Sequence, residues 1–328
     1  MATTQTTKSS PSVAKPKNLH RNLILFIVFG TLVFFAFGIY GDLTQVTLAF
    51  RRFELGYLPL ILALALTNYL LRFVRWHLYL GCLDIPLPKG PSLLIFLAGF
   101  VMSLTPGKAG ELLKAYLVKL RLGTPISKCA PAVLVERLLD FLAFAVLSLV
   151  GLYSFSKWMP HLLAVLFVLL AVVIIFGNTS AGQFLWKLQF LRRFKEPLQR
   201  TLGSMQNLLT FKNLLWSLPL STLSWFAHGV LCYYVIIGLG GYLPLLDNIF
   251  IFCASTLFGA LTLLPGGLGS TEASMSGLYT LQNISLPDAI AATFIIRVCS
   301  LWFAIALGLL AFLPFQKQIK FSELSATE

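Results

Sequence analysis

The chain has 328 residues, of which 57% are hydrophobic and only 11% charged, against about 25% charged in soluble domains. Its longest predominantly polar stretch away from the termini, roughly 177–212, is too short for a soluble catalytic domain. The net charge of +13 sits mostly in tails and loops beside apolar runs, as in cytoplasmic loops that face anionic headgroups; with no basic–aromatic platform beside it, nucleic acid is excluded as a partner.

In chain order, the first 21 residues are polar and basic and read as a disordered cytoplasmic tail. An almost wholly apolar run follows at 22–40, too long for the core of a signal peptide and without a clear cleavage site after it. It is expected to be a retained span. A crossing takes about 20 apolar residues, and on that ruler five further spans are expected near 57–80, 129–151, 160–176, 213–239 and 289–313. Two apolar runs, 91–105 and 249–264, reach only about 22–24 Å as helices. Each stops at a Pro-Gly break and is followed by a second short segment, 110–121 and 269–281. Two re-entrant hairpins are the economical reading.

The breaks themselves are a repeated pattern. The first reads Thr105-Pro106-Gly107-Lys108-Ala109-Gly110-Glu111, and the second Leu264-Pro265-Gly266-Gly267-Leu268-Gly269-Ser270-Thr271-Glu272. Arg137 follows Pro106 by 31 residues, and Arg297 follows Pro265 by 32. The fold class expected is therefore an all-α polytopic membrane protein of about six spans and two hairpins, arranged as inverted repeats over 22–155 and 156–315, with a cytoplasmic tail at 316–328. Three crossings per half turn the second half upside down relative to the first, so the hairpins enter from opposite faces. The Lys and Arg distribution fits, with 107–128 and 177–212 cytoplasmic and only Arg51 and Arg52 out of place in an external loop. Within 177–212, Phe184, Leu188 and Leu191 among basic residues suit an interfacial amphipathic helix or an ordinary basic loop.

A Pro-Gly break frees backbone N–H groups and points the positive end of a new helix into the membrane, which suits an anion such as phosphate. Gly107, Gly110, Gly266, Gly267 and Gly269 admit close approach, or form helix-packing corners. Glu111 and Glu272 suit capping, pairing with arginine, binding of an amine, or proton transfer. Arg72 and Arg75 share one helix face, either snorkelling to the interface or serving the site. Glu136, Arg137 and Asp140 make a compact charged group, structural or functional, and Arg297 needs a partner from another helix or a ligand. His228 reads as a packing residue. Five scattered cysteines without C-x-x-C spacing, and four dispersed histidines, suggest neither a metal nor a cofactor.

The stretches P-G-K-A-G-E-L-L-K-A-Y (106–116), V-L-V-E-R-L-L-D (133–140) and L-P-G-G-L-G-S-T-E-A (264–273) resemble the flippase-like membrane domain, the membrane region of lysylphosphatidylglycerol synthases or multiple peptide resistance factors. The resemblance runs from about residue 20 to 315. It implies a protein of the prokaryotic cytoplasmic membrane, with both termini cytoplasmic, that moves lipids between leaflets. Bifunctional members add a soluble aminoacyl-transferase domain, for which a chain ending at Glu328 is expected to have no room. Three functions follow as expectations. The first is a flippase or scramblase for an anionic, aminoacylated or polyprenyl-linked lipid. It uses no ATP, and the two breaks with Arg137 and Arg297 hold the headgroup. The second is an embedded lipid-phosphate or lipid-sugar enzyme, with Glu136, Arg137 and Asp140 holding magnesium and a diphosphate. The third is a non-transporting partner of a glycosyltransferase or synthase. Expected partners are membrane lipids with anionic headgroups, a separate lipid-modifying enzyme, and a second copy of the chain.

Overall fold

The structure, a computed structural model, describes residues 28, 30–32, 36–105, 110–151, 159–177 and 195–324, with backbone only at 150, 195–198 and 316–324. The described residues form helices and no strand. A helical stretch ending at Tyr40 bends by 102° at Gly41 and Asp42 into α1 (Leu43–Arg52). Then come α2 (Leu58–Cys82), α3 (Lys89–Ala98) with a tighter extension Gly99–Leu104, α4 (Leu113–Leu122), α5 (Ile126–Val150) and α6 (Met159–Gly177). The second half holds α7 (Lys195–Leu208), α8 (Phe211–Gly238), α9 (Leu245–Leu261) and α10 (Ser270–Leu281). It closes with α11 (Leu286–Arg297), joined through a π-helical turn Val298–Trp302 to α12 (Phe303–Leu324).

Among the described residues, four helical stretches are long and apolar enough to cross a membrane: Leu55–Cys82, Met159–Gly177, Phe211–Gly238 and Leu286–Phe315. α5 has 25 residues and so the length to cross, about 37 Å, but carries Lys128, Glu136, Arg137 and Asp140 within it. Glu136, Arg137 and Asp140 are folded inward rather than solvated. The chain is an all-helical polytopic membrane protein. The expected first span, 22–40, and the apolar positions Phe184, Leu188 and Leu191 lie wholly or largely outside the described residues.

The loop at 41–56 turns out to be helix α1 and a further short turn, and one of the two misplaced arginines has a partner. Arg52 forms an ion pair with Asp288 at the start of α11. On the other side of the sequence midpoint, α7 is likewise a short helix with a buried stripe, Leu202, Met205 and Leu208, lying against α5. Both helices precede a long span, and each rests on a helix of the opposite half.

Three further contacts repeat this exchange. The central pair is α2 with α8, where small residues Ser217, Ser221 and Ser224 are buried and Asn68 donates to the Ser224 carbonyl at 2.7 Å. The arm α3 of the first hairpin packs on α12, and α9 of the second hairpin packs on α5. Glycines permit both approaches. A Cβ on Gly308 would lie 2.9 Å from the Leu97 carbonyl oxygen and from the Val101 nitrogen, and one on Gly151 would lie 2.8 Å from the Leu246 carbonyl oxygen. The two hairpin tips touch: Leu104 covers Gly266 and joins Leu268 and Ile305 in a small apolar cluster.

Candidate functional site

Each hairpin ends beside an arginine of the helix that follows it, as the equal spacing in sequence anticipates. In the second half the arrangement is closed. Arg297 donates from Nε to Glu272 Oε1 at 2.6 Å and from Nη2 to the Gly266 carbonyl at 2.7 Å. The other Glu272 oxygen accepts the Gly269 N–H at 2.7 Å, which caps the first turn of α10. Gly266 and Gly267 have φ of 62° and 66°, a left-handed backbone in which a Cβ is strained. Glu272 therefore combines two of the roles open to it, capping and pairing.

The first half is larger and less symmetric. Asp140 lies 2.8 Å from Arg75 and 2.9 Å from Arg137, and accepts the indole N–H of Trp225 at 3.0 Å. Arg75 also donates to Ser221. Lys114 reaches Glu136 at 2.5 Å and Glu111 at 3.9 Å, and Arg137 reaches Glu111 at 3.4 Å. Arg72 lies between the rings of Phe100 and Trp225, 5.3 and 5.1 Å from their centroids. All of these ionisable side chains are buried or nearly so. Such burial in a membrane segment is tolerated only when charges compensate one another. Gly110 closes the described part of the first break through its N–H to Thr105 Oγ1 at 2.8 Å. Pro106, Gly107 and Lys108 lie outside the described residues.

Several members of this cluster were not legible as such. By sequence Lys114 belongs to the basic, cytoplasmic 107–128 segment, but it is 2% exposed. Its ammonium sits over Trp76 and Phe96, and its stem fills the space left by Gly99, where a Cβ would lie 2.7 Å from Lys114 Cγ. Trp225, Ser221 and Phe100 carry no sequence signal distinguishing them from span residues, because their role depends on which helix packs opposite α2. His228 is a packing residue as expected, against Trp225 and Phe252. The cysteines are all free, and four of the five are buried.

A cavity of about 560 Å³ opens beside the cluster. Its polar end holds Arg137, Asp140 and Arg297 with Thr105, Gly266 and Thr271. Phe141 and Phe144 follow Arg137 on the same face of α5, so the lining turns apolar within two turns. Val165 and Val168 of α6 and Leu257 and Leu261 of α9 form the side walls. Both walls border exposed apolar surface, for Val168 is 58% exposed and Leu261 67%. The cavity is therefore a lateral slot with a charged floor and apolar walls.

Two broken hairpins that meet beside buried ion pairs define a class, the polytopic helical membrane protein with interrupted spans. The chain belongs to the lysylphosphatidylglycerol synthase TM region family, which matches residues 23–308. It is 27% identical over 323 residues to a UPF0104 membrane protein of Methanothermobacter thermautotrophicus, covering 89% of this chain and 95% of that one. A UPF0104 membrane protein of Methanocaldococcus jannaschii is 28% identical over 233 residues, 67% of this chain and 96% of its own. One from Pyrococcus horikoshii is 24% identical over 326 residues, 88% of this chain and 95% of its own.

Proposed function

We propose that this protein moves lipids with an anionic headgroup between leaflets, as a flippase or scramblase without its own ATPase. The lateral slot carries the reading. Its floor offers the Arg137 guanidinium to a headgroup, while its α6 and α9 walls let acyl chains stay in the bilayer. Against a magnesium-dependent enzyme, Glu136 and Asp140 are already engaged by Lys114, Arg75 and Arg137. On this reading the protein sits in the cytoplasmic membrane, with hairpins entering from opposite faces and both termini cytoplasmic. Membrane lipids are the partners; a lipid-modifying enzyme or a second copy acts only in support. The test is translocation of fluorescent phosphatidylglycerol by purified protein in liposomes, followed by dithionite quenching. Wild-type protein accelerates it and Arg137→Ala abolishes the acceleration with normal reconstitution. Equal rates in wild type, Arg137→Ala and empty liposomes, with and without an imposed ion gradient, would sink the proposal.

A further inference from the structure

The two arginines at the floor of the slot occupy matching places in the two halves, yet their surroundings differ. Arg297 spends its donors inside the protein. Its Nε goes to Glu272 and its Nη2 to the Gly266 carbonyl, while Glu272 turns its second oxygen to the Gly269 N–H. This ring of bonds ties α11 to both ends of the second break. Removing a ligand from the slot would leave every one of those bonds in place.

Arg137 is held differently. Its ion contacts with Asp140, at 2.9 Å, and Glu111, at 3.4 Å, both run through Nη2. Neither contact has hydrogen-bond geometry, and Nε and Nη2 are buried without a hydrogen-bond partner among the described residues. Asp140 Oδ2 is in the same condition. Buried donors on a cation that are left unbonded are expensive, and Arg137 also lines the slot, where a phosphate oxygen would add a charged hydrogen bond.

The distribution of charge points the same way. Among the described residues, the first-half cluster sets four cations, Arg72, Arg75, Lys114 and Arg137, against three carboxylates, Glu111, Glu136 and Asp140. The second-half pair, Arg297 with Glu272, is balanced. The surplus positive charge lies on the Arg137 side. Arg72 is the cation of that group with no carboxylate within ion-pair distance among the described residues, held instead between two aromatic faces.

We infer that the arginines have divided their labour: Arg137, backed by the uncompensated charge of Arg72, binds the anionic headgroup, and Arg297 is a latch that fixes the second hairpin tip. This rests on the lipid-translocation reading and deepens it by assigning the headgroup to the first repeat. Arg297 is then a positioning residue, and its replacement acts on stability and turnover rather than on headgroup affinity.

The experiment measures binding of fluorescent phosphatidylglycerol to the detergent-solubilised full chain, with phosphatidylcholine as the zwitterionic control, beside the thermal midpoint of each variant. Arg137→Gln is expected to weaken phosphatidylglycerol binding about 10- to 100-fold, the loss of a charged hydrogen-bonded contact, and to leave phosphatidylcholine binding unchanged. Arg297→Lys is expected to lower the thermal midpoint while the affinity stays within about twofold, well short of such a loss. Glu272→Gln loosens the same latch with Arg297 kept, and serves if Arg297→Lys does not purify. Equal loss of affinity in the Arg137 variant and either latch variant overturns the division of labour and leaves lipid binding standing. Wild-type protein that binds phosphatidylglycerol no better than phosphatidylcholine overturns both.

Discussion

Asp140 is the most heavily shared acceptor in the cluster, and its replacement tests whether surplus positive charge governs stability. Asp140→Asn keeps the size of the side chain and an oxygen for the Trp225 indole, but removes the negative charge between Arg75 and Arg137. At the 2.8 Å separation from Arg75, a unit charge pair at an effective dielectric of about 20 is worth about 6 kcal/mol before desolvation. Breaking a buried pair from one side costs about 3–5 kcal/mol in practice, and the Asn variant loses two contacts at once. Lys114→Met is the contrasting change. It also takes a partner from two buried carboxylates, Glu136 and Glu111, but it reduces the surplus of cations instead of raising it, and leaves Glu136 with Arg75 at 3.9 Å and Glu111 with Arg137 at 3.4 Å. The expected order is therefore a larger loss for Asp140→Asn than for Lys114→Met, with the difference about 1 kcal/mol or more on this scale. Reversible unfolding by sodium dodecyl sulfate in mixed micelles, followed by tryptophan fluorescence, measures both. The reasoning is refuted if Lys114→Met is the more destabilising of the two, or if Asp140→Asn unfolds within about 1 kcal/mol of wild type.

Gly308→Ala drives a methyl group against the Leu97 carbonyl and the Val101 nitrogen, both backbone atoms that cannot swing aside. It is expected to cost about 1–3 kcal/mol as overpacking, read in the same unfolding assay. Arg52→Gln breaks an ion pair whose arginine is 60% exposed; stability should change by less than about 1 kcal/mol, and a larger drop would mean that α1 depends on this pair. Val168→Trp places bulk on the α6 wall of the slot, at a position more than half exposed. Lipid translocation should slow while the thermal midpoint holds, and an unchanged rate would argue that lipid enters elsewhere.

Composition and periodicity already determine much of this protein. Apolar runs of sufficient length mark the spans, because a bilayer accepts little else. The duplicated Pro-Gly break and the equal spacing to Arg137 and Arg297 announce two matching hairpins, since an interrupted span with a carboxylate is costly wherever it occurs. What chain order could not settle is which charge meets which. Lys114 stands in a basic segment and resembles a solvated loop residue until Gly99 and Trp76 are seen to enclose it. Arg72 and Arg75 share a helix face, yet one pairs with Asp140 and the other lies between Phe100 and Trp225, from helices far away in sequence. The two arginines after the breaks look equivalent as sequence, and only their surroundings separate a latched guanidinium from one with unbonded donors. Hydrophobic patterning acts along single helices and survives in the sequence. Electrostatic pairing at a few ångströms is decided between helices, and only the tertiary structure sets those distances.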